Sequence, residues 1–152
     1  MLFIADAMLG KLARWLRILG FDTTYEPILQ DDALLSKARA EGRVLLTKDT
    51  ALYKRALRDG IRSLLITETE NAAILREMAP FLKDPSPGSR CPECNSPLIP
   101  DHTGKSNSAT ALNATHRWLC PSCGKLYWHG SHWKGIRRTL ILAGLGDPIG
   151  NS

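Results

Sequence analysis

The sequence predicts an α/β domain, a parallel sheet flanked by helices, followed by a small four-cysteine zinc ribbon at the C-terminal end. Three observations predict it. Short apolar runs alternate with segments of helical period over residues 1–83. The stretch Lys83–Arg90, KDPSPGSR, then breaks the periodicity with proline, serine and glycine and reads as a linker over residues 84–90. Two CxxC pairs, Cys91/Cys94 and Cys120/Cys123, follow it.

Leu2–Ala5 is a short apolar strand. Leu9, Leu12, Ala13, Leu16 and Leu19 then recur at helical spacing, with Gly20 in the position of a C-terminal cap. Asp22–Tyr25 reads as the second strand. The next helix is opened by Asp31 or Asp32, carries Leu34, Leu35 and Ala38 inward, and is closed by Gly42. The pattern repeats with a strand over Val44–Thr47, a helix over Ala51–Arg58, a strand over Ser63–Thr67 and a helix over Asn71–Phe81. Strands separated by helices of this length form parallel βαβ units with right-handed crossovers and a sheet covered on both faces. Residues 1–83 are thus the main domain, 91–133 the ribbon and 134–152 a tail with one short helix and a glycine-rich end. Thr103–Thr115, small and polar, reads as a mobile loop between the cysteine pairs.

The 152 residues allow one main core and a metal-stabilised appendage. With 43% hydrophobic and 23% charged residues, disordered and fibrous classes are excluded. No apolar run reaches the roughly 18 residues of a membrane span, and MLFIADAMLGK has an acid where a secretory signal needs cations. We read the chain as cytoplasmic, a reducing setting in which paired CxxC motifs point to metal before disulfides. The formal charge is +5, with 14 Lys/Arg against 12 Asp/Glu in residues 1–90 and 6 against 3 beyond. This mild excess permits nucleic acid as a partner without demanding it.

Each CxxC is a knuckle that turns two sulfurs toward one ion, so Cys91, Cys94, Cys120 and Cys123 together make a closed tetrahedral site. Four thiolates leave no open position, and the zinc is expected to be structural. Chemistry is expected elsewhere. Asp6 follows the first strand and Asp49 the third, and the C-terminal ends of parallel strands share one edge, where open α/β folds bind ligands. Asp31 enters from the same side. Three such carboxylates suit Mg2+ or Mn2+, with Asp6 and Asp49 as ligands, although Asp31 and Asp49 also suit helix caps. Beside Asp6, the residues Lys11, Arg14 and Arg17 form a cationic stripe fit for phosphates or for a solvated helix face. Trp128-His129-Gly130-Ser131-His132-Trp133 reads either as rings that stack on bases, with His132 on phosphate, or as tryptophans that dock the ribbon.

Asp6-Ala7-Met8-Leu9-Gly10-Lys11-Leu12-Ala13-Arg14-Trp15-Leu16-Arg17, Gly42-Arg43-Val44-Leu45-Leu46-Thr47-Lys48-Asp49 and Tyr127–Trp133 together resemble the Mut7-C ribonuclease family, over about Leu2 to Trp133. The resemblance implies a PIN-like fold with a C-terminal zinc ribbon and a metal-dependent ribonuclease site at acids matching Asp6, Asp31 and Asp49. PIN-type sites look for a fourth acid soon after the third. Thr50, Ala51 and Leu52 supply none, which leaves Asp32, Glu68 and Glu70 as substitutes. The expected activity is endoribonucleolytic, on RNA that is single-stranded, with Lys11, Arg14, Arg17 and His132 holding the strand. PIN-like domains often dimerise, so a homodimer is among the states to test. The rivals are a non-catalytic RNA-binding or adaptor module and a ribbon that contacts protein in a larger assembly.

Overall fold

The computed structural model describes residues 1–102 and 116–147; the loop expected at Thr103–Thr115 lies outside them. Four parallel strands, β1 (Leu2–Ala5), β2 (Asp22–Tyr25), β3 (Val44–Thr47) and β4 (Ser63–Leu65), form a sheet in the order β2-β1-β3-β4. Phe3, Ile4, Ala5, Leu45, Leu46 and Thr47 are wholly buried, as expected of strands covered on both faces.

The strand order explains which helix covers which face. From β1 the chain moves outward to β2 through α1 (Gly10–Ile18), preceded by a 3-10 turn at Ala7–Leu9. It then reverses through α2 (Asp31–Glu41) to β3 and continues through α3 (Thr50–Arg58) to β4. Right-handed crossovers in opposite directions place their helices on opposite faces. Accordingly, α1 packs with α4 (Asn71–Met78) in one apolar cluster, and α2 packs with α3 in the other. The reversal falls between β1 and β3, and open α/β folds bind ligands beyond the C-terminal strand ends at such a point. The last helix of this part stops at Met78 rather than Phe81, because Pro80 has no N–H to continue the ladder and Ala79–Phe81 tightens into a 3-10 turn.

The linker is fastened to α1. Ser86 N–H donates to Leu19 O at 2.8 Å, and Gly20 sits against it with φ +90°. A Cβ at position 20 would lie 2.2 Å from Ser86 O, so both conformation and space require glycine there.

The ribbon is a three-stranded antiparallel sheet of β5 (Ile99–Pro100), β6 (Arg117–Leu119) and β7 (Leu126–Trp128). The ribbon is expected from the sequence to end at residue 133, with one short helix in the tail beyond it. An eleven-residue helix, α5 (His132–Leu142), crosses that boundary. Its residues Ile136, Leu140 and Ala143 fall on one stripe, and Leu140 and Ala143 are buried with α1 and α4 in the main core. The chain thus leaves the α/β domain, folds a ribbon and returns to complete the core. No helix among the described residues is long and apolar enough to cross a membrane.

Candidate active site and metal centre

Asp6 and Asp49 leave the C-terminal ends of the neighbouring strands β1 and β3, whose register pairs Ala5 with Leu46. That register sets Asp6 beside Thr47. The Thr47 hydroxyl donates to Asp6 Oδ2 at 2.7 Å and accepts from the Asp49 N–H at 2.9 Å, so one wholly buried side chain links the two acidic positions. Asp6 N–H donates to Leu46 O at 3.0 Å, which fixes the backbone at the same place.

The Asp49 carboxylate also caps α3. Its Oδ1 accepts from Ala51 N–H at 2.7 Å and Leu52 N–H at 3.0 Å. The cap reading of Asp49 holds at Oδ1, and Oδ2 has no hydrogen-bond partner among the described residues. Asp6 Oδ1 is likewise open. An available oxygen on each of these two strand-end carboxylates is the kind of donor a hard divalent cation takes. Asp31 is the exposed first residue of α2, where it lies at the favourable N-terminal end of the helix dipole. The three acids do not close into a set of ligand atoms within 4.8 Å; among the described residues only the cysteines do so. Of the substitute fourth acids, Asp32 is paired with Arg55, while Glu68 and Glu70 are exposed.

The four sulfurs lie within 4.8 Å of one another, with Cys91 Sγ 3.6 Å from Cys123 Sγ and Cys94 Sγ 3.4 Å from Cys120 Sγ. Zn–S bonds of about 2.3 Å in a tetrahedron set sulfurs roughly 3.8 Å apart, so the cluster fits zinc. Both knuckles close alike: Asn95 N–H donates to Cys91 O and Gly124 N–H to Cys120 O, each at 2.9 Å. Both closing residues are left-handed, at φ 68° and 73°, a conformation open to glycine and, less freely, to asparagine. The Tyr127 hydroxyl lies 3.0 Å from Cys91 Sγ and supports that ligand from outside; burial, then Cys91 itself, pushes its pKa up. A hydrogen bond from Ser96 pulls the Cys94 thiol down to about 6. Against the Lys125 N–H, desolvation and the other thiols push Cys123 up to about 12. Crowded thiols resist ionising together, and a divalent cation resolves that conflict.

With an acidic strand edge and a docked four-cysteine centre in place, comparison with known families is decisive. The family model described as the Mut7-C RNAse domain matches residues 1–140. The chain belongs to the Mut7-C RNAse domain family. No curated protein and no solved structure gives a significant match.

In this Mut7-C chain the cationic stripe of α1 divides. Lys11 is exposed, and Arg14 is exposed but ion-paired with Glu93 of the first knuckle. The expectation that Arg17 holds RNA is corrected by its burial: Nε donates to Thr23 O at 2.9 Å, and Nη1 donates to Pro92 O at 3.2 Å and Glu93 O at 2.8 Å. Desolvation lowers its pKa from the ordinary value. Arg17 is one turn from Ala13, on the flank that faces the ribbon, and no property of α1 alone reveals that neighbour.

Asn95, which sequence reasoning missed, is the second docking residue. Its Oδ1 accepts from Thr23 N–H and its Nδ2 donates to Asp22 Oδ1, both at 2.9 Å, so the knuckle covers the open edge of β2. Asp22 also pairs with Arg43 at 2.7 Å and Arg90 at 3.1 Å. Burial opposes its ionisation, but Asn95, Arg43 and Arg90 together hold its pKa below the ordinary carboxylate value. An asparagine where a knuckle ordinarily has glycine was the available signal.

The aromatic segment packs at the ribbon–α5 corner. His129 lies between Trp118 and Trp133, with ring centroids 4.8 Å and 4.3 Å away, and Trp133 Nε1–H donates to Trp128 O at 2.8 Å. Desolvation first, then His116, His132 and Arg137, lowers the His129 pKa from the ordinary value. These contacts join the ribbon to the start of α5, where His132 is exposed.

Proposed function

We propose that this protein is a metal-dependent endoribonuclease that hydrolyses RNA phosphodiester bonds at the edge formed by Asp6 and Asp49, with Asp31 contributing from α2. The observation that carries the reading is the Thr47 hydroxyl, bonded to both acidic positions at the point where the strand order reverses. Mut7-C membership supplies the reaction class. Asp6 Oδ1 and Asp49 Oδ2 would hold Mg2+ or Mn2+, which when bound lowers the pKa of water and neutralises charge on the phosphate. Asp6 is oriented by Thr47, and Lys11, exposed on the helix that begins beside Asp6, would attract the RNA backbone. The cysteine centre, zinc-bound in this reading, contributes structure rather than chemistry.

The rival, an RNA-binding module without catalysis, is favoured by one observation: Asp49 is engaged as a cap and the acids are not gathered as ligands. The deciding experiment compares wild type with Asp6→Asn on labelled single-stranded and structured RNAs, with Mn2+, Mg2+ or a chelator mild enough to spare the ribbon zinc. The nuclease reading expects divalent-dependent cleavage that Asp6→Asn reduces by at least about 100-fold, the scale of losing one electrostatic catalytic group. Equal RNA binding by both proteins with no cleavage by either leaves the binding module.

A further inference from the structure

The cations of α1 account for little of the surface an RNA would need, since Arg17 is buried and Arg14 faces Glu93. The remaining positive charge is concentrated elsewhere. Between Asp101 and Asp147 the chain contains no acidic residue, yet it carries Lys105, Arg117, Lys125, Lys134, Arg137 and Arg138. All four histidines and three of the four tryptophans fall in the same interval. Acid-free, basic and aromatic composition is the signature of a surface that tracks a polyanion and stacks its bases.

The fold gathers part of that interval onto one helix. The inner stripe of α5 is occupied by the core, so Lys134, Arg137, Arg138, Ile141 and Leu142 share the outer stripe at helical spacing and line an open groove of about 430 Å³. Lys134 and Arg138 are exposed, one turn apart, and have no ion-pair partner among the described residues; Arg137 pairs with Asp147. The cationic half of the groove lies next to the aromatic corner, where His132 is exposed and Trp128 and Trp133 are half-buried.

We propose that the outer face of α5, through Lys134 and Arg138 with His132 at its start, is a second RNA contact that holds single-stranded RNA in addition to the acidic strand edge. The proposal rests on the ribonucleolytic reading for its choice of polyanion. Adjacent rings favour RNA over an acidic peptide, because a base has a π-face to offer and a glutamate does not. They also favour it over an anionic membrane surface, because the exposed aliphatics Ile141 and Leu142 are confined to the far end of the stripe instead of forming a continuous apolar face.

The test uses the full zinc-loaded chain carrying Asp6→Asn, without added Mg2+ or Mn2+, and fluorescein-labelled oligouridylate of about twelve nucleotides. Binding is followed by anisotropy over a series of salt concentrations. Adding Lys134→Gln and Arg138→Gln is expected to weaken binding by at least about 10-fold and to reduce the slope of log K against log salt by about 1.4, at roughly 0.7 per lost single-strand phosphate contact. The swap Lys134→Arg with Arg138→Lys is expected to restore both quantities, which a damaged fold would not allow. Unchanged affinity and slope in the double glutamine variant overturn the proposal. So does a variant that loses binding only to phosphatidylserine vesicles or to a polyglutamate peptide. Cleavage by the Asp6 protein with Mn2+ is measured separately: cleavage without an effect of α5 removes this surface and leaves the nuclease, whereas an α5 effect without cleavage does the reverse.

Discussion

Thr47 is wholly buried, yet its hydroxyl donates to Asp6 Oδ2 and accepts from the Asp49 backbone. Valine would fill the same space and leave both of those groups unpaired. Thr47→Val is therefore expected to cost about 1–3 kcal/mol, the net worth of two hydrogen bonds at about 0.5–1.5 kcal/mol each. Divalent-dependent cleavage should fall with it, and Thr47→Ser should recover much of both. Thermal melting and cleavage rate measured on the same preparations check this; a Thr47→Val protein that melts and cuts like wild type would remove Thr47 from the site. Gly20 is a second position where one atom matters. Alanine there meets Ser86 O and adopts φ +90°, so Gly20→Ala should destabilise the protein by about 2 kcal/mol through strain, read as a lower melting temperature.

At the scale of elements, the first knuckle, α1 and β2 form one seam. Arg17 supplies three hydrogen bonds to backbone carbonyls and Asn95 two bonds to β2, so the ribbon is seated by groups at Pro92, Glu93 and Asn95, directly beside the metal ligands. Arg17→Met retains the aliphatic stem but orphans those carbonyls. It should speed amide exchange over residues 91–95 while leaving oligouridylate affinity within about 2-fold, because a residue in the seam makes no phosphate contact. A drop in affinity matching that of Lys134→Gln with Arg138→Gln would return Arg17 to the RNA surface. The knuckle residue Asn95 has two roles at one position: its left-handed backbone closes the turn, and its side chain covers a sheet edge.

For the molecule as a whole, the path out to the ribbon and back through α5 makes the metal centre part of the tertiary structure. Metal binding to such a site is folding free energy for the residues it organises. Stripping the cysteine centre with a strong chelator is expected to abolish exchange protection over residues 91–102 and 116–128, while the sheet β1–β4 stays protected and the end of α5, anchored by Leu140 and Ala143, stays at least partly so. Hydrogen exchange with mass detection resolves these segments. Loss of protection throughout would mean that the α/β core does not stand without the ribbon. Retention at residues 91–102 and 116–128 would mean that the thiols do not depend on metal.

Much of this architecture follows from local pattern. Helical and strand periods place α1 to α4 and β1 to β4 within a few residues, because burying one stripe or two faces imposes those periods on any sequence that folds this way. The CxxC spacing likewise identifies the cysteine centre, since two sulfurs three residues apart already meet one ion. Asp6 and Asp49 were legible as strand-end acids for the same topological reason. Arg17, Asn95 and the inward face of α5 were not, because each takes its role from a neighbour distant in the chain: Arg17 from the knuckle at Pro92 and Glu93, Asn95 from β2, Leu140 from α1 and α4. Sequence alone therefore determined the elements of the α/β domain, the four-cysteine centre and the strand-end positions of Asp6 and Asp49. Only the tertiary structure decided which cations are held inside the seam and which face outward, because a charged stripe looks the same in sequence whether water or another element covers it.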